Sequence, residues 1–142
     1  MPISIQQIPH NLISGAIRRV FSRSETCKAA RSRAKHPETK GPRGGNRYIC
    51  QECGNLFGAR DTQIDHNVPV IPLGSSLKDM SWDRYIERLF CDVSNLDCLC
   101  KGCHKQKTQA ENKIRREMKK KVKEGMCLRE AEAIGNDMMR EL

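Results

Sequence analysis

The sequence predicts an α+β fold, with a small metal-supported core and helical extensions at both ends. Two Cys-x-x-Cys pairs separated by 46 residues mark the core. Strand-like segments lie beside and between these pairs, and segments with helical periodicity lie on both sides of them. A chain of 142 residues with 37% hydrophobic and 4% aromatic residues supplies material for one small domain. We therefore expect a bound metal to support the core.

Residues 1–47 predict a basic helical arm that ends in a linker. Ten lysines and arginines against two acidic residues lie ahead of the first Cys-x-x-Cys pair, and they supply most of the net charge of +9. A first helix is expected to run to about Phe21, with Leu12, Ala16 and Val20 facing inwards. A basic arm suits a polyanion such as DNA or RNA, because contacts to phosphate release counterions. The alternative is a solubilising surface.

A second helix is expected to begin after Ser24, a favourable N-cap residue, and to end at His36-Pro37. Cys27 falls on its apolar side and is interpreted as a packing residue. Residues 38–46 contain one proline and three glycines, so they predict a flexible linker.

The core, residues 48–124, begins with short strands. Residues 48–50 and 56–57 are expected to form a hairpin around the first cysteine pair. Residues 63–68 alternate as a strand does, and the prolines that follow end it.

Two amphipathic helices complete the core, and a third forms the C-terminal extension, residues 125–142. Ser81 caps the first, and the second is expected to run from near Cys103 until Gly125 stops it. Apolar side chains recur at helical spacing in each of them. These are Trp82, Tyr85, Ile86 and Leu89; then Ala110, Ile114, Met118 and Val122; and then Ala131, Ile134, Met138 and Leu142.

The two Cys-x-x-Cys pairs predict one structural zinc ion bound by Cys50, Cys53, Cys100 and Cys103. Each pair offers two thiolates on a tight turn, and four such ligands close a tetrahedral site. Gly54 and Gly102 are expected to supply the positive φ that such turns use.

The other cysteines are expected to be buried packing residues. Cys91 and Cys98 are close enough in sequence to the second pair to compete as ligands, but burial is the favoured interpretation. Cys127, like Cys27, lies on a helix face.

Asp65-His66 and His104 together predict a second, reactive metal site, although an Asp-His pair in a strand taken alone is more often an ordinary surface feature. Asp65 offers a hard oxygen ligand, and His66 has an unperturbed pKa near neutrality. Neighbours on a strand point to opposite faces, so a bend after the pair is needed to bring both to one phosphate. His104 follows a zinc ligand directly and is well placed as a second ligand of a catalytic cation.

Three motifs of the core closely resemble the HNH endonuclease family in its four-cysteine form. They are Asp65-His66, Asn95-Leu96-x-x-Leu99-Cys100-x-x-Cys103-His104 and Lys107-Thr108. Small bacteriophage members are also similar in the arginine-rich segment before the cysteines and in the segment Trp82-Asp83-x-Tyr85-Ile86-x-Arg88-Leu89-Phe90-Cys91. The resemblance covers residues 17–111.

The resemblance implies a zinc-stapled ββα-metal (HNH) core, in which two strands and a helix hold one divalent cation. It implies that Asp65 and His104 bind this cation, that His66 is the general base, and that Asn95 holds the loop bearing His66 in place. The implied activity is that of a metal-dependent DNA endonuclease or nickase acting on double-stranded DNA. Mg²⁺ or Mn²⁺ suits the ligands, and Ni²⁺ is compatible with the imidazole.

Basic residues around these motifs are the candidate DNA contacts. They are Arg18, Arg19, Arg31, Arg33, Arg43, Lys105 and Lys107. For the two lysines, a solvated surface position is an equal alternative.

Two other functions remain open at this stage. A non-catalytic zinc module that binds nucleic acid through its arm would need the cysteines but not His66. A toxin or restriction nuclease would share the whole site. The motifs also do not separate a phage homing role from assistance in DNA packaging.

The chain is expected to be cytoplasmic, in the host cell if it is phage-encoded, with no membrane partner. Residues 1–14 lack a basic start followed by an apolar run, and no stretch approaches the roughly 20 apolar residues of a membrane span. Eight cysteines are then better explained by metal-bound thiolates than by disulfides.

Overall fold

Five helices and five strands follow one another along the described chain. The structure, a computed structural model, describes residue 1 and residues 3–141. Its helices are α1 (His10–Phe21), α2 (Glu25–Ala34), α3 (Trp82–Leu89), α4 (Lys101–Lys123) and α5 (Leu128–Arg140). Its strands are β1 (Lys35–Lys40), β2 (Asn46–Ile49), β3 (Leu56–Gly58), β4 (Thr62–His66) and β5 (Leu96–Cys100). The α+β class is confirmed, and Leu142 lies outside the described residues.

Strands β4 and β5 form a two-stranded antiparallel sheet at the centre of the molecule. Thr62 lies opposite Cys100 and His66 lies opposite Leu96, so all five residues of each strand are paired. The strand predicted at residues 63–68 is therefore confirmed, although it ends at His66. The chain turns there, and Asn67 donates its amide to the carbonyl of Asn95 at 2.8 Å.

Strand β5 passes directly into α4. Cys100 is both the last residue of the strand and the N-cap of the helix, where its Sγ accepts a hydrogen bond from the amide of Cys103 at 3.4 Å. The helix ends before Gly125, whose φ of +110° is a left-handed conformation that glycine adopts without steric cost. The predicted long helix is confirmed, with its start at Lys101.

Helix α1 is present as predicted, but the prediction of which face is buried is wrong. Leu12 and Val20 are 62% and 63% exposed, and Ala16 is exposed as well. The buried positions are Ser14 and Phe21. Packing against α3 determines which face of α1 is buried. In this contact His10 stacks on Trp82 at a ring separation of 5.4 Å.

Helices α1 and α2 share a hydrophobic core with the centre of the chain. Phe21, Cys27 and Ala30 are buried together with side chains of α3 and β5. The burial of Cys27 confirms its predicted packing role. On α3 the predicted apolar stripe is buried at Tyr85 and Leu89, whereas Trp82 and Ile86 are partly exposed, as is Phe90 after the helix. The remaining buried members of this core are Val70, Met80 and Leu96.

Residues 38–46, predicted as a flexible linker, are largely a β-hairpin. Strand β1 pairs antiparallel with β2, which in turn pairs with β3 in the predicted hairpin of the first cysteine pair. Pro37 is accommodated because β1 is an edge strand with an irregular register, so no ladder hydrogen bond is required of it. The glycines lie in the turn, where Gly44 has a φ of +73°.

Helix α5 packs on α4 and forms a second small core. Leu73, Ile114, Met118 and Ala131 are buried there, as the predicted apolar positions of both helices require. The predicted packing role of Cys127 is wrong, since this residue is exposed at the N-cap of α5. Within residues 1 and 3–141, no helix is long and apolar enough to cross a lipid bilayer.

The segment before α3 packs closely on α5 at Gly74, where there is no room for a side chain. A Cβ at position 74 would lie 2.5 Å from the backbone of Ala131 and Glu132. We expect Gly74→Ala to lower the free energy of unfolding by about 1–3 kcal/mol, because backbone atoms must move. Chemical denaturation of the zinc-loaded protein measures this effect. Gly45→Ala is the matched control, since a Cβ at position 45 meets nothing within 4 Å; equal losses in both variants would contradict the packing role.

Candidate functional site

The four cysteines of the two Cys-x-x-Cys pairs lie together in the fold. The sulfur atoms of Cys50, Cys53, Cys100 and Cys103 are all within 4.8 Å of one another. A tetrahedral zinc ion with Zn–S bonds of about 2.3 Å holds its sulfurs roughly 3.8 Å apart, so a small contraction of the cluster accommodates the ion. The donor set and its spacing fit a structural zinc site with four protein ligands.

Backbone amides prepare this cluster for a metal. Burial alone would raise the pKa of the Cys50 thiol, but the amides of Cys53, Cys100 and Glu52 point at its sulfur and lower this pKa to about 7. Hydrogen bonding to the Cys100 thiol, by contrast, raises the pKa of Cys103 to about 12. A divalent cation supplies the positive charge that deprotonation of the whole cluster requires.

The first cysteine turn is built as predicted and the second is not. Gly54 has a φ of +72°, and its amide donates to the carbonyl of Cys50 at 2.8 Å. Gly102 instead lies within the first turn of α4 and has no positive φ. The reason is that Cys100 caps the helix, so the second pair begins a helix and needs no left-handed residue.

Two hydrogen bonds connect the first cysteine turn to β5. The amide of Gln51 donates to the carbonyl of Cys98 at 2.9 Å, and the side chain of Gln51 accepts from the amide of Cys98 at 2.6 Å. Cys98 itself is buried outside the cluster, as predicted, and Cys91 is partly buried against the main core.

Asp65 and His104 meet at the junction of β4 and α4. Asp65 lies near the end of β4, and His104 lies in the first turn of α4, whose start is set by Cys100. The Nε2 atom of His104 is 4.0 Å from Oδ1 of Asp65. One divalent cation with bonds of about 2.1 Å to both atoms would hold them roughly 3 to 4 Å apart. The pair therefore fits a cation that accepts oxygen and imidazole ligands.

His66 lies next to this pair and is 6% exposed. Its Nε2 atom is 2.9 Å from the carbonyl oxygen of Leu89. A carbonyl oxygen only accepts hydrogen bonds, so Nε2 carries the proton, and the lone pair of the neutral ring is on Nδ1. Burial lowers the pKa of His66, which keeps the ring neutral at pH 7. Phe21 packs on the ring at 5.0 Å between centroids.

The turn that follows His66 is held from two sides. Oδ1 of Asn95 accepts a hydrogen bond from the amide of Val68 at 3.0 Å, which is the kind of contact that the resemblance implies for Asn95. Arg88 of α3 donates to the carbonyls of Pro69 and Val70 at 2.6 Å each. Both anchors fix the backbone just beyond the candidate base.

Two cavities adjoin Asp65 and His66. The larger is a groove of about 440 Å³ that is also lined by His104 and by basic residues of α1 and α2. The smaller has a volume of about 140 Å³, and Glu111 and Arg115 are among the residues that line it. Arg18 lines both cavities. Asp65, His66 and Arg18 therefore lie between the two cavities.

Arg31 and Arg33, predicted as DNA contacts, both bind protein groups. Arg31 donates to the hydroxyl of Thr62 at 3.3 Å, and its guanidinium lies 5.5 Å from the ring centre of Tyr48. Arg33 donates to the carbonyl of Leu96 and to that of Val93. These bonds attach α2 to the central sheet.

Other predicted contacts are exposed. Arg18, Arg19, Arg43 and Lys105 all lie at the surface. The guanidinium of Arg18 lies 5.9 Å from the ring centre of Tyr85, and within the described residues Arg18 has no acidic partner. Lys107 differs from these four, because its ammonium group binds Asp65 at 2.6 Å. Burial alone would lower the pKa of Lys107, but its hydrogen bonds to carboxylates raise it.

Three contributors to the site were missed from the sequence. Glu111 lies four residues after Lys107 on α4, and this spacing is a signal that could have found it. The carbonyl of Leu89 and the anchoring role of Arg88 have no sequence signal.

Comparisons with protein-family models, curated proteins and solved structures gave no match to the chain.

The cysteine cluster predicts a clear result for Cys50→Ser. We expect the purified wild type to contain about one zinc ion per chain, and the variant to lose it and unfold, because the free energy of zinc binding contributes to folding. Metal analysis and circular dichroism measure both effects. Cys127→Ser is the control, since Cys127 is exposed and outside the cluster. Retention of zinc and of a stable fold by Cys50→Ser would contradict the four-cysteine site.

Proposed function

We propose that the protein is a metal-dependent DNA endonuclease or nickase that hydrolyses phosphodiester bonds. The observation that carries this proposal is the convergence of Asp65, His66 and His104 at one groove. They belong to a strand–strand–helix unit, β4–β5–α4, whose helix start lies beside the cysteine cluster. We propose that this unit is a ββα-metal (HNH) core. A carboxylate and one imidazole can hold a cation, and a neutral imidazole can act as the general base, which are two functions that metal-assisted hydrolysis of a phosphodiester uses.

In this proposal His66 is the general base. Its Nε2–H is committed to the carbonyl of Leu89, which fixes both the tautomer and the orientation of the ring. Nδ1 then takes a proton from a water molecule, and the water oxygen attacks phosphorus in line with the departing 3′ oxygen. The products are a 5′-phosphate and a 3′-hydroxyl, the latter after proton uptake from solvent.

Asp65 and His104 would hold the catalytic cation, for which Mg²⁺ or Mn²⁺ is proposed and Ni²⁺ is compatible. When bound, the cation stabilises the extra negative charge on the phosphoryl group and on the leaving oxygen. Asn95 contributes by fixing the turn after His66, because its hydrogen bond to Val68 limits movement of the backbone. Zinc at the four cysteines is proposed to have a structural role only, since four protein ligands leave no open position.

The substrate is proposed to be double-stranded DNA. The net charge of +9 favours a polyanion, and exposed Arg18, Arg19, Arg43 and Lys105 are free to contact phosphates. Among them, Arg18 alone lines both cavities beside His66. We therefore assign Arg18 to the scissile phosphate and the other residues to the flanking backbone.

The assignment of His66 is tested by cleavage of supercoiled plasmid with Mg²⁺ or Mn²⁺. We expect His66→Ala to cut about 10²- to 10⁴-fold more slowly than the wild type, the usual effect of removing a general base. His36→Ala is the control, because His36 lies on β1 outside the groove. Undiminished cutting by His66→Ala would refute the base. Metal-independent DNA binding without any cutting by the wild type would favour a non-catalytic nucleic-acid-binding module.

The assignment of Arg18 is tested against its neighbour on α1. Arg18→Met and Arg19→Met each remove one exposed positive charge, and only Arg18 lines the groove. We expect both variants to reduce the salt dependence of DNA binding by similar amounts. Turnover at saturating DNA should fall roughly 10- to 100-fold in Arg18→Met alone, because its guanidinium would contact the charge that develops in the transition state. Equal turnover in both variants would contradict this role.

A further inference from the structure

The ammonium group of Lys107 is surrounded by oxygen atoms of the protein. An ammonium group has three N–H donors and no acceptor. Nζ of Lys107 lies 2.6 Å from Oδ2 of Asp65, 2.6 Å from the carbonyl oxygen of His66 and 2.9 Å from Oε1 of Glu111. The first two contacts are hydrogen bonds and the third is an ion pair, so the ammonium group is directed at three oxygens of the protein. This conflicts with the sequence-based expectation that Lys107 contacts the substrate.

The contact with Lys107 divides the two oxygens of Asp65 between different partners. Oδ2 binds the ammonium group, whereas Oδ1 faces Nε2 of His104 at 4.0 Å. The second bond, to the carbonyl of His66, fixes the backbone at the end of β4 where Asp65 and His66 are joined. Lys107 therefore restrains both the carboxylate and the peptide that carries the base.

Glu111 in turn restrains Lys107. The two residues are one helical turn apart on α4, and their side chains are 16% and 21% exposed, so solvent screens this ion pair less than a surface pair. The three charged groups Asp65, Lys107 and Glu111 carry a net charge of −1. Binding of one cation at Oδ1 of Asp65 is therefore disfavoured by the positive charge of Lys107 and favoured by the negative charges of Asp65 and Glu111.

We propose that Lys107, held by Glu111, is a positioning residue that presents a single oxygen of Asp65 to the catalytic cation and does not contact DNA. The inference rests on the proposed function, because it assigns Asp65 and His104 to that cation. Partners of this kind, which orient a metal ligand without touching the metal, commonly change metal affinity or activity by about 10- to 100-fold when they are removed.

The test separates positioning from charge. Lys107→Met removes one positive charge, whereas the double variant Lys107→Met/Glu111→Gln removes one charge of each sign and keeps the local net charge. Mn²⁺ binding to the zinc-loaded protein without DNA is measured by calorimetry, with Asp65→Ala as the reference for complete loss. We expect the double variant to bind Mn²⁺ about tenfold more weakly than the wild type. Zinc content and circular dichroism establish that each variant is folded.

DNA binding in the absence of Mn²⁺ provides the second measurement. Lys113→Met is the matched control, because Lys113 is exposed on the same helix and removes the same charge away from Asp65. We expect Lys107→Met and Lys113→Met to show the same affinity and the same salt dependence. A salt slope lower by about 0.9 in Lys107→Met than in Lys113→Met would identify a phosphate contact and overturn the proposal.

Mn²⁺ affinity of the double variant within twofold of the wild type would also overturn it, and so would a wild type without Asp65-dependent Mn²⁺ binding. If Lys107→Met alone fails to fold, the Mn²⁺ affinity of the charge-balanced double variant decides whether Lys107 is a positioning residue. A wild type that binds Mn²⁺ through Asp65 but cuts no DNA contradicts the proposed function, whereas the role of Lys107 is still decided by the two binding measurements.

Discussion

The geometry of the core depends on Cys100, because this residue belongs to three structures at once. It pairs with Thr62 as the last residue of β5, it caps α4, and its sulfur lies in the four-cysteine cluster. Successive helical residues are about 100° apart around the axis, so a slip of one residue would turn His104 away from Asp65. Such a slip would also break the strand pairing or withdraw a sulfur from the cluster. One junction thus sets the position of the whole helix.

The charged groups around Asp65 form two ion pairs that share Lys107. Lys107 lies between Asp65 and Glu111, and the neutral ring of His66 adds no charge. This leaves one oxygen of Asp65 and one nitrogen of His104 facing each other. A small number of fixed groups therefore defines where a cation fits, and most of the polar atoms nearby hold these groups in place.

The positive charge of the chain divides into two populations with different physical roles. Arg31, Arg33 and Lys107 donate to carbonyls, a hydroxyl or carboxylates, and attach helices to the central sheet. Arg18, Arg19, Arg43 and Lys105 remain exposed. Helices α1 and α2 therefore act as part of the core as well as a basic surface.

Much of the fold and of the candidate site follows from local spacing. Three features were predicted because turns, caps and periodicity depend on residues that are close in sequence. They are the two Cys-x-x-Cys pairs, the helix that begins at the second pair and ends before Gly125, and the strand that carries Asp65-His66. Tertiary structure alone decided the buried face of α1, the strand in place of the linker, the tautomer of His66 and the partner of Lys107. Each of these depends on atoms supplied from distant parts of the chain, such as the carbonyl of Leu89 for His66 and the carboxylate of Asp65 for Lys107. The sequence by itself therefore determined which chemical groups the candidate site contains, and packing between remote segments decided which of them are bound to other groups of the protein.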